Sequence, residues 1–187
     1  MASMWPVDAV IAENGGVNFV RRDGKVERHF HTGSRPDMAR LSDSLHRLFP
    51  ELVPADDQPY RESSLAFRRL PDGNATVLDH LPTLGASGTV NSLWLLAWPG
   101  PWDKLNATRR LLAEEWGLDL GVERERVLYV GDSENDQAMF AALPHTIGVS
   151  TVTQHRLDAW PRWVSEGPGG PGFVEAADRL LASRDRA

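Results

Sequence analysis

Six residues, Gly131 to Asp136, read Gly-Asp-Ser-Glu-Asn-Asp and place two carboxylates, Asp132 and Asp136, four positions apart. The apolar run before them, Val127 to Val130, predicts a strand of a parallel sheet that is covered on both faces. The residues after them, to about Ala142, predict a helix. Because ligands of open α/β sheets bind outside the carboxyl ends of the strands, this spacing predicts a site for a hard cation such as Mg²⁺ and its phosphate.

Two other interpretations of the carboxylate pair need to be weighed. A calcium-binding EF-hand loop requires glycine at its sixth position and glutamate at its twelfth, and these positions hold Gln137 and Leu143. That loop type is therefore excluded. An ordinary polar turn, in which Asp136 is the N-cap of the following helix, remains open.

A second candidate residue, Lys104, opens a helix predicted from Lys104 to about Trp116, with Asp103 as its cap and Leu111, Leu112 and Trp116 facing inward. A positive charge at a helix N-terminus is unfavourable with the helix dipole. The position therefore favours a nearby anion such as a phosphate. The alternative is an ordinary solvated lysine.

Composition excludes several classes of protein. The net charge of −6 and the absence of a basic stripe argue against a nucleic-acid partner. The chain contains no cysteine, which excludes disulfides, thiolate metal sites and cysteine nucleophiles. No apolar run approaches the roughly 20 residues that span a bilayer, and the N-terminus lacks a signal-peptide pattern. These features predict a cytoplasmic protein without a membrane partner.

The first part of the chain predicts short strands and one amphipathic helix. Glu13–Gly16 ends the first strand, and Arg22–Lys25 forms the turn of a hairpin. Ser34 and Pro36 predict the start of a helix with Met38, Leu41, Leu45 and Leu48 on one face. The strands are predicted at Val7–Ala12, Val17–Val20, Val26–Phe30, Leu65–Leu70 and Leu93–Trp98.

The last part of the chain alternates strands and helices, which predicts a parallel sheet. Strands are expected at Thr146–Val149 and Trp163–Val164, and a final helix from Phe173 to about Ser183. The run Gly167–Gly172 matches neither a Walker loop nor a dinucleotide fingerprint, so we expect a mobile loop there. The predicted organisation is a first core strand and hairpin (1–30), an α+β lobe (31–98) and a parallel α/β region (99–187).

Four segments in this order resemble the haloacid dehalogenase superfamily of phosphatases, and in particular its sugar-phosphatase-like branch (Cof and sucrose-phosphatase type). They are Asp8–Gly16, Trp102–Leu105, Val130–Asp136 and Glu166–Phe173. The resemblance implies an α/β fold, with a Rossmann-like core into which an α+β cap domain is inserted. It also implies a Mg²⁺-dependent hydrolase that removes phosphate from a sugar phosphate or a similar small phosphorylated metabolite.

The resemblance also implies roles for individual residues. Lys104 would hold the phosphoryl oxygens, Asp132 would ligate Mg²⁺, and Asp136 would support the metal site as a ligand or a neighbour. Asn135 would reach the bound phosphate. The lobe would select the substrate, and its candidate residues, for which ordinary surface or packing roles are the alternative, are Arg61, Glu62, Ser63, Asn91 and Trp94.

The nucleophile of that superfamily lies in an Asp-x-Asp motif on the first core strand, and this motif occurs nowhere in the 187 residues. The expectation is therefore an incomplete core that lacks its first strands, a shortened chain, and doubtful activity of this chain alone. An exposed sheet edge would favour self-association as a homo-oligomer. Two alternatives to the phosphatase stay open: a non-catalytic module that binds a phosphorylated metabolite or completes its sheet with a partner, and a phosphomutase of the same superfamily.

Overall fold

The computed structural model describes residues 2–30, 35–91 and 93–184. The predicted N-cap Ser34 lies outside these residues. Contacts within the chain divide it into two compact units, Met1–Leu111 and Leu112–Ala187. The predicted three-part division has other boundaries and stays a prediction.

The first unit begins with an antiparallel sheet of three strands in the order β1-β2-β3. A short 3-10 turn, Glu13–Gly15, joins β1 to β2. Asp23 and Gly24, with φ angles of 48° and 75°, form the hairpin turn between β2 and β3, as the sequence predicts. The strands are β1 (Ala9–Ala12), β2 (Val17–Arg22) and β3 (Lys25–Phe30).

The second sheet of this unit is also antiparallel, in the order β4-β6-β5. Two helices, α1 (Arg35–Leu48) and α2 (Asn74–His80), contribute side chains to the same apolar core as the strands. The strands are β4 (Leu65–Arg68), β5 (Ala86–Val90) and β6 (Trp94–Pro99). The buried residues of this core are Met38, Leu41, Leu45, Leu52, Leu65, Phe67, Val77, Leu81, Ala86, Leu95 and Ala97.

The predicted apolar face of α1 is not buried along its whole length. Leu48 is 50% exposed, whereas Met38, Leu41 and Leu45 are buried. At 3.6 residues per turn, Leu48 lies within about 20° of the buried Leu41, on the same face, but it is the last residue of the helix. The next residue, Phe49, packs against the core instead.

The second unit contains a parallel sheet in the order β7-β8-β9, which confirms the predicted α/β class. Helix α3 (Lys104–Trp116) contains the boundary between the units, and α4 (Gln137–Ala142) and α5 (Gly169–Arg184) belong to the second unit. The strands are β7 (Leu128–Gly131), β8 (His145–Gly148) and β9 (Trp163–Val164).

Three sequence predictions for this part need correction. Leu128 is 39% exposed, so β7 is not covered on both faces; within the described residues it is also an edge strand of its sheet. Trp116, at the end of α3, is 50% exposed and does not face inward. Helix α5 begins at Gly169, four residues before the predicted start, because Pro171 fits the first helical turn.

Helix α5 is tied to the parallel sheet near its glycine-rich start. A Cβ at Gly172 would lie 2.1 Å from the carbonyl oxygen of Gly167, so this corner has room only for glycine. Glu175 Oε2 accepts the Glu166 N–H at 2.9 Å, and the Arg179 guanidinium stacks on Trp163 at 4.4 Å. Within the described residues, no helix is long and apolar enough to cross a bilayer.

Candidate active site

The loop after β7 is shaped by a reciprocal pair of hydrogen bonds between Ser133 and Asp136. The Ser133 side chain accepts the backbone N–H of Asp136, and the Asp136 side chain accepts the backbone N–H of Ser133, which together form a capping box. Asp136 Oδ2 lies 3.1 Å from the Ser133 nitrogen and 2.8 Å from the Asp132 nitrogen. Asp136 is only 2% exposed, so its carboxylate fixes the backbone of the loop from within.

Tyr129, in β7, completes the support of this loop. Its hydroxyl donates to Asp136 Oδ1 at 2.5 Å, and its ring packs edge-on against Phe140 at 5.9 Å. Burial raises the pKa of Tyr129 well above its usual range, and the negative charges of Asp136 and Asp132 raise it further. Tyr129 therefore remains a protonated donor to Asp136. The sequence analysis missed Tyr129. The pattern of residues in β7 alone does not show whether a tyrosine there packs in the core or supports the loop.

Asp132 and Asn135 are oriented by one hydroxyl group. Ser133 Oγ lies 3.1 Å from Asp132 Oδ1 and 2.8 Å from Asn135 Oδ1. Asp132 is exposed, and the Asn135 Nδ2 donor has no hydrogen-bond partner within the described chain. The loop thus presents one carboxylate and one amide donor at the carboxyl end of a parallel strand, where ligands of such sheets bind.

Gly131 is required by this arrangement. A Cβ at this position would lie 2.7 Å from Asp136 Oδ2 and 2.9 Å from Asp136 Cβ. Any side chain would therefore push Asp136 away from the two backbone N–H groups that it accepts. The glycine, the serine and the second aspartate of the motif act together to set the position of Asp132.

The donors of this loop fit Mg²⁺ only in a limited sense. Among residues 2–30, 35–91 and 93–184, no group of three or more histidine, aspartate or glutamate side chains could hold a metal ion. Mg²⁺ in proteins commonly keeps several waters and takes one or two carboxylates together with phosphate oxygens. Asp132 fits that role as a single carboxylate. The sequence suggests two roles for Asp136, a metal ligand or a support of the site. Both of its carboxylate oxygens already accept hydrogen bonds, which favours the supporting role. Its role as a ligand stays a prediction.

Lys104 belongs to the first unit, where it is the first residue of α3. Asp103 Oδ1 accepts the Asn106 N–H at 2.6 Å, which confirms Asp103 as the cap of this helix. The loop that carries Asp132 belongs to the second unit. A joint action of Lys104 and Asp132 on one phosphate therefore stays a prediction.

The candidate residues of the lobe fall into two groups. Ser63 is fully buried, and Asn91 Oδ1 accepts the N–H groups of Leu93 and Trp94 at 2.8 and 2.7 Å. These contacts indicate structural roles for Ser63 and Asn91. Trp94 is half-buried against a second small apolar cluster of the β4-β6-β5 sheet.

Arg61 and Glu62 form the second group, because both line a cavity of about 510 Å³. Their charges are paired. Arg61 contacts Asp57 at 2.7 Å, and Glu62 contacts Arg28 at 2.8 Å. These two residues remain candidates for contact with a ligand of the lobe.

Comparison with known proteins identifies the fold. No family model matches the chain. A phosphatase of the haloalkanoate (HAD) enzyme superfamily from Bacteroides thetaiotaomicron is similar in structure, with 19% sequence identity and a TM-score of 0.64, over 93% of this chain and 74% of that one. A haloacid dehalogenase-like hydrolase from the same organism matches with 15% identity and a TM-score of 0.60, over 89% and 74% of the two chains.

A haloacid dehalogenase-like hydrolase from Bacillus subtilis also matches, with 12% identity and a TM-score of 0.51, over 93% of this chain and 68% of that one. The chain therefore has the fold of the haloacid dehalogenase-like hydrolases, as its motifs predict. At these identities the likeness concerns the fold.

Proposed function

We propose that this chain is part of a Mg²⁺-dependent phosphatase that acts on a sugar phosphate or a similar small phosphorylated metabolite. The observation that carries the proposal is the loop after β7, which presents the Asp132 carboxylate and the free Asn135 amide donor at a strand end. The fold is one that known phosphatases share. Oxygen and amide groups in this position suit a hydrated cation and the phosphate that it accompanies.

The residues of the chain would bind and orient the phosphate. Asp132 would hold Mg²⁺, which when bound offsets the negative charge on the phosphoryl oxygens. Asn135 Nδ2 would donate to one of these oxygens, and the Lys104 ammonium would contact another. Asp136 and Tyr129 would keep the loop in place without touching the substrate. No Asp-x-Asp nucleophile is present in these 187 residues, so we assign no covalent step to them.

The absence of that motif favours a second candidate function from a different class. A module that binds a phosphorylated metabolite without hydrolysing it needs the Asp132 loop and Lys104 but no nucleophile. Both candidates would bind a phosphorylated metabolite, but only the phosphatase would hydrolyse it.

The test measures Mg²⁺-dependent hydrolysis of p-nitrophenyl phosphate by the purified chain, together with binding of inorganic phosphate by calorimetry. Asp132→Ala is compared with Asp178→Ala, which removes an exposed carboxylate from α5. Turnover that is lost only in Asp132→Ala supports the phosphatase. Magnesium-dependent phosphate binding without turnover, again lost only in Asp132→Ala, supports the binding module. If Asp132→Ala changes neither quantity, both proposals are wrong.

A further inference from the structure

Glu13 lies in the turn between β1 and β2 and contacts a segment about fifty positions later in the chain. Its Oε1 accepts the Glu62 N–H at 3.0 Å. Its Oε2 accepts the Ser63 N–H at 2.9 Å, the Ser63 hydroxyl at 2.9 Å and the Ser64 hydroxyl at 2.8 Å. Both serines are fully buried. One carboxylate therefore satisfies four donors of a single short segment.

The backbone of this turn is strained. Glu13 and Asn14 have φ angles of 50° and 57°, and Gly15 has a φ of 108°. The left-handed region is uncommon for a glutamate, and such a conformation persists only where the surrounding contacts determine it. The contacts of the Glu13 carboxylate with Glu62, Ser63 and Ser64 are one such set.

The other side of the turn packs against the helix that Lys104 opens. A Cβ at Gly15 would lie 2.6 Å from the Cβ of Ala107 and 3.1 Å from the carbonyl oxygen of Asp103. The turn Glu13–Gly15 thus contacts the first turns of α3 through Gly15 and the segment 62–64 through Glu13. All of these residues belong to the first unit.

Glu62, whose N–H Glu13 accepts, lines the lobe cavity together with its neighbour Arg61, and we call these two residues the cavity wall. The cavity has a volume of about 510 Å³, and Met38, Ala39 and Ser42 of α1 line it as well. A second contact ties the same wall to the first sheet, since Arg28 of β3 donates to both carboxylate oxygens of Glu62, at 2.8 and 3.2 Å. The wall is therefore anchored to the hairpin sheet by two carboxylates.

We propose that Glu13 is a positioning residue that fixes this cavity wall at a defined place relative to the start of α3. A role of Glu13 in substrate binding rests on the proposed function, in which Lys104 holds the phosphate and the lobe selects the rest of the substrate. The coupling between residue 13 and residues 61–64 is a property of the fold and is tested without substrate.

Hydrogen–deuterium exchange of the full chain tests the coupling. In Glu13→Gln a neutral amide replaces the negative carboxylate. The amide NH₂ group is a donor, so it cannot accept the N–H and O–H groups that the carboxylate oxygen accepted. We expect the segment 61–66 to exchange at least about tenfold faster than in the wild type, because hydrogen bonds to a charged acceptor are lost. Strands β2 and β3 should exchange as before. Glu27→Gln, which changes an exposed carboxylate of β3, should leave the segment 61–66 unaffected.

A second variant guards against global unfolding. Ser64→Ala removes one donor to Glu13 and the Ser64 Oγ acceptor of the Arg61 guanidinium, and it should accelerate exchange of the same segment by about two- to threefold. Wild-type protection of this segment in Glu13→Gln would overturn the proposal. Equal acceleration throughout the first unit in both variants would overturn it as well, since the effect would then not be specific to the wall. Failure of the phosphatase assay has no bearing on either outcome.

Discussion

Two turns of this chain each use a carboxylate to hold backbone N–H groups, but over very different distances along the sequence. Asp136 accepts the amides of residues 132 and 133, within its own loop. Glu13 accepts the amides of residues 62 and 63, about fifty positions away. The first carboxylate shapes the loop that contains it, whereas the second joins the turn after β1 to the segment before β4. Similar chemistry therefore serves local shape in one region and long-range packing in the other.

The backbones of the two turns differ accordingly. The Asp136 loop follows the regular geometry of a capped helix start, with Ser133 extended at φ −149°. The Glu13 turn places two non-glycine residues in the left-handed region. The local arrangement is favourable by itself, while the long-range one depends on contacts made by other parts of the chain.

The largest expected effect belongs to Asp136. In Asp136→Ala the N–H groups of Asp132 and Ser133 and the Tyr129 hydroxyl lose their acceptor in a site that is 2% exposed in the wild type. We expect the free energy of unfolding of the second unit to fall by about 3 kcal/mol. Urea denaturation followed by tryptophan fluorescence measures this change. Asp132→Ala is the matched control and should change it by less than about 0.5 kcal/mol; equal losses in the two variants would contradict the supporting role of Asp136.

Glu13→Ala should have the second largest effect. Four donors lose their acceptor, but the turn is partly exposed, so water replaces some of the lost bonds. We expect a decrease in the free energy of unfolding of about 2 kcal/mol, confined to the first unit. Glu27→Ala, a carboxylate with only exposed ion pairs, should cost less than about 0.5 kcal/mol in the same denaturation experiment. A Glu13→Ala value as small as that of the control would show that the contact is marginal.

The ionisation of Tyr129 gives a prediction at alkaline pH. The pKa of this hydroxyl is raised in the folded chain, so its contribution to stability is fully present below the ordinary value of 10.0 and is lost as the pH rises above it. Tyr129 alone should lower the free energy of unfolding by about 1.4 kcal/mol for each pH unit above 10. The slope should disappear in Tyr129→Phe and remain in Tyr60→Phe, which changes the chain's only other tyrosine, 86% exposed. An unchanged slope in Tyr129→Phe would exclude this assignment.

The smallest effect concerns Glu13 at acid pH. Burial raises the pKa of this carboxyl, but the hydrogen bonds from Glu62, Ser63 and Ser64 outweigh burial and leave the pKa below its ordinary value of 4.5. A lowered pKa gives stability that is present above 4.5 and is lost as the pH falls through the folded value. The difference in unfolding free energy between wild type and Glu13→Gln should stay constant from pH 5 to 8 and shrink below pH 4.5. A difference that varies within the neutral range would point to another titrating group.

Local signals in the sequence predict much of this fold. The hairpin turn at Asp23–Gly24, the bounds of α3 with its Asp103 cap, and the strand–turn–helix at residues 128–142 each depend on residues that are neighbours in the chain. The structure differs where a prediction depended on what an element packs against. Leu48 and Trp116 are the last residues of their helices, and periodicity does not show that the burial of a helix face stops before the helix ends.

The candidate site shows the same division. Asp132, Asn135 and Asp136 could be predicted because one short motif contains them and their mutual hydrogen bonds are local. The roles of Tyr129 and Glu13 could not be predicted, since the first depends on which face of β7 meets the loop and the second on a contact across fifty positions. The sequence analysis predicts no element in segment 71–90, because α2 and β5 are short; their buried residues Val77 and Ala86 belong to the core of the lobe.

The contact between Glu13 and the two buried serines should leave a trace in evolution. A change of Glu13 to an apolar residue would leave the hydroxyls of Ser63 and Ser64 buried without an acceptor, and a change of either serine would leave the carboxylate short of a donor. Substitutions at positions 13, 63 and 64 should therefore occur together in related chains, as correlated changes between alignment columns that are distant in sequence. A lineage that replaced the glutamate would be expected to carry alanine or glycine at both serine positions.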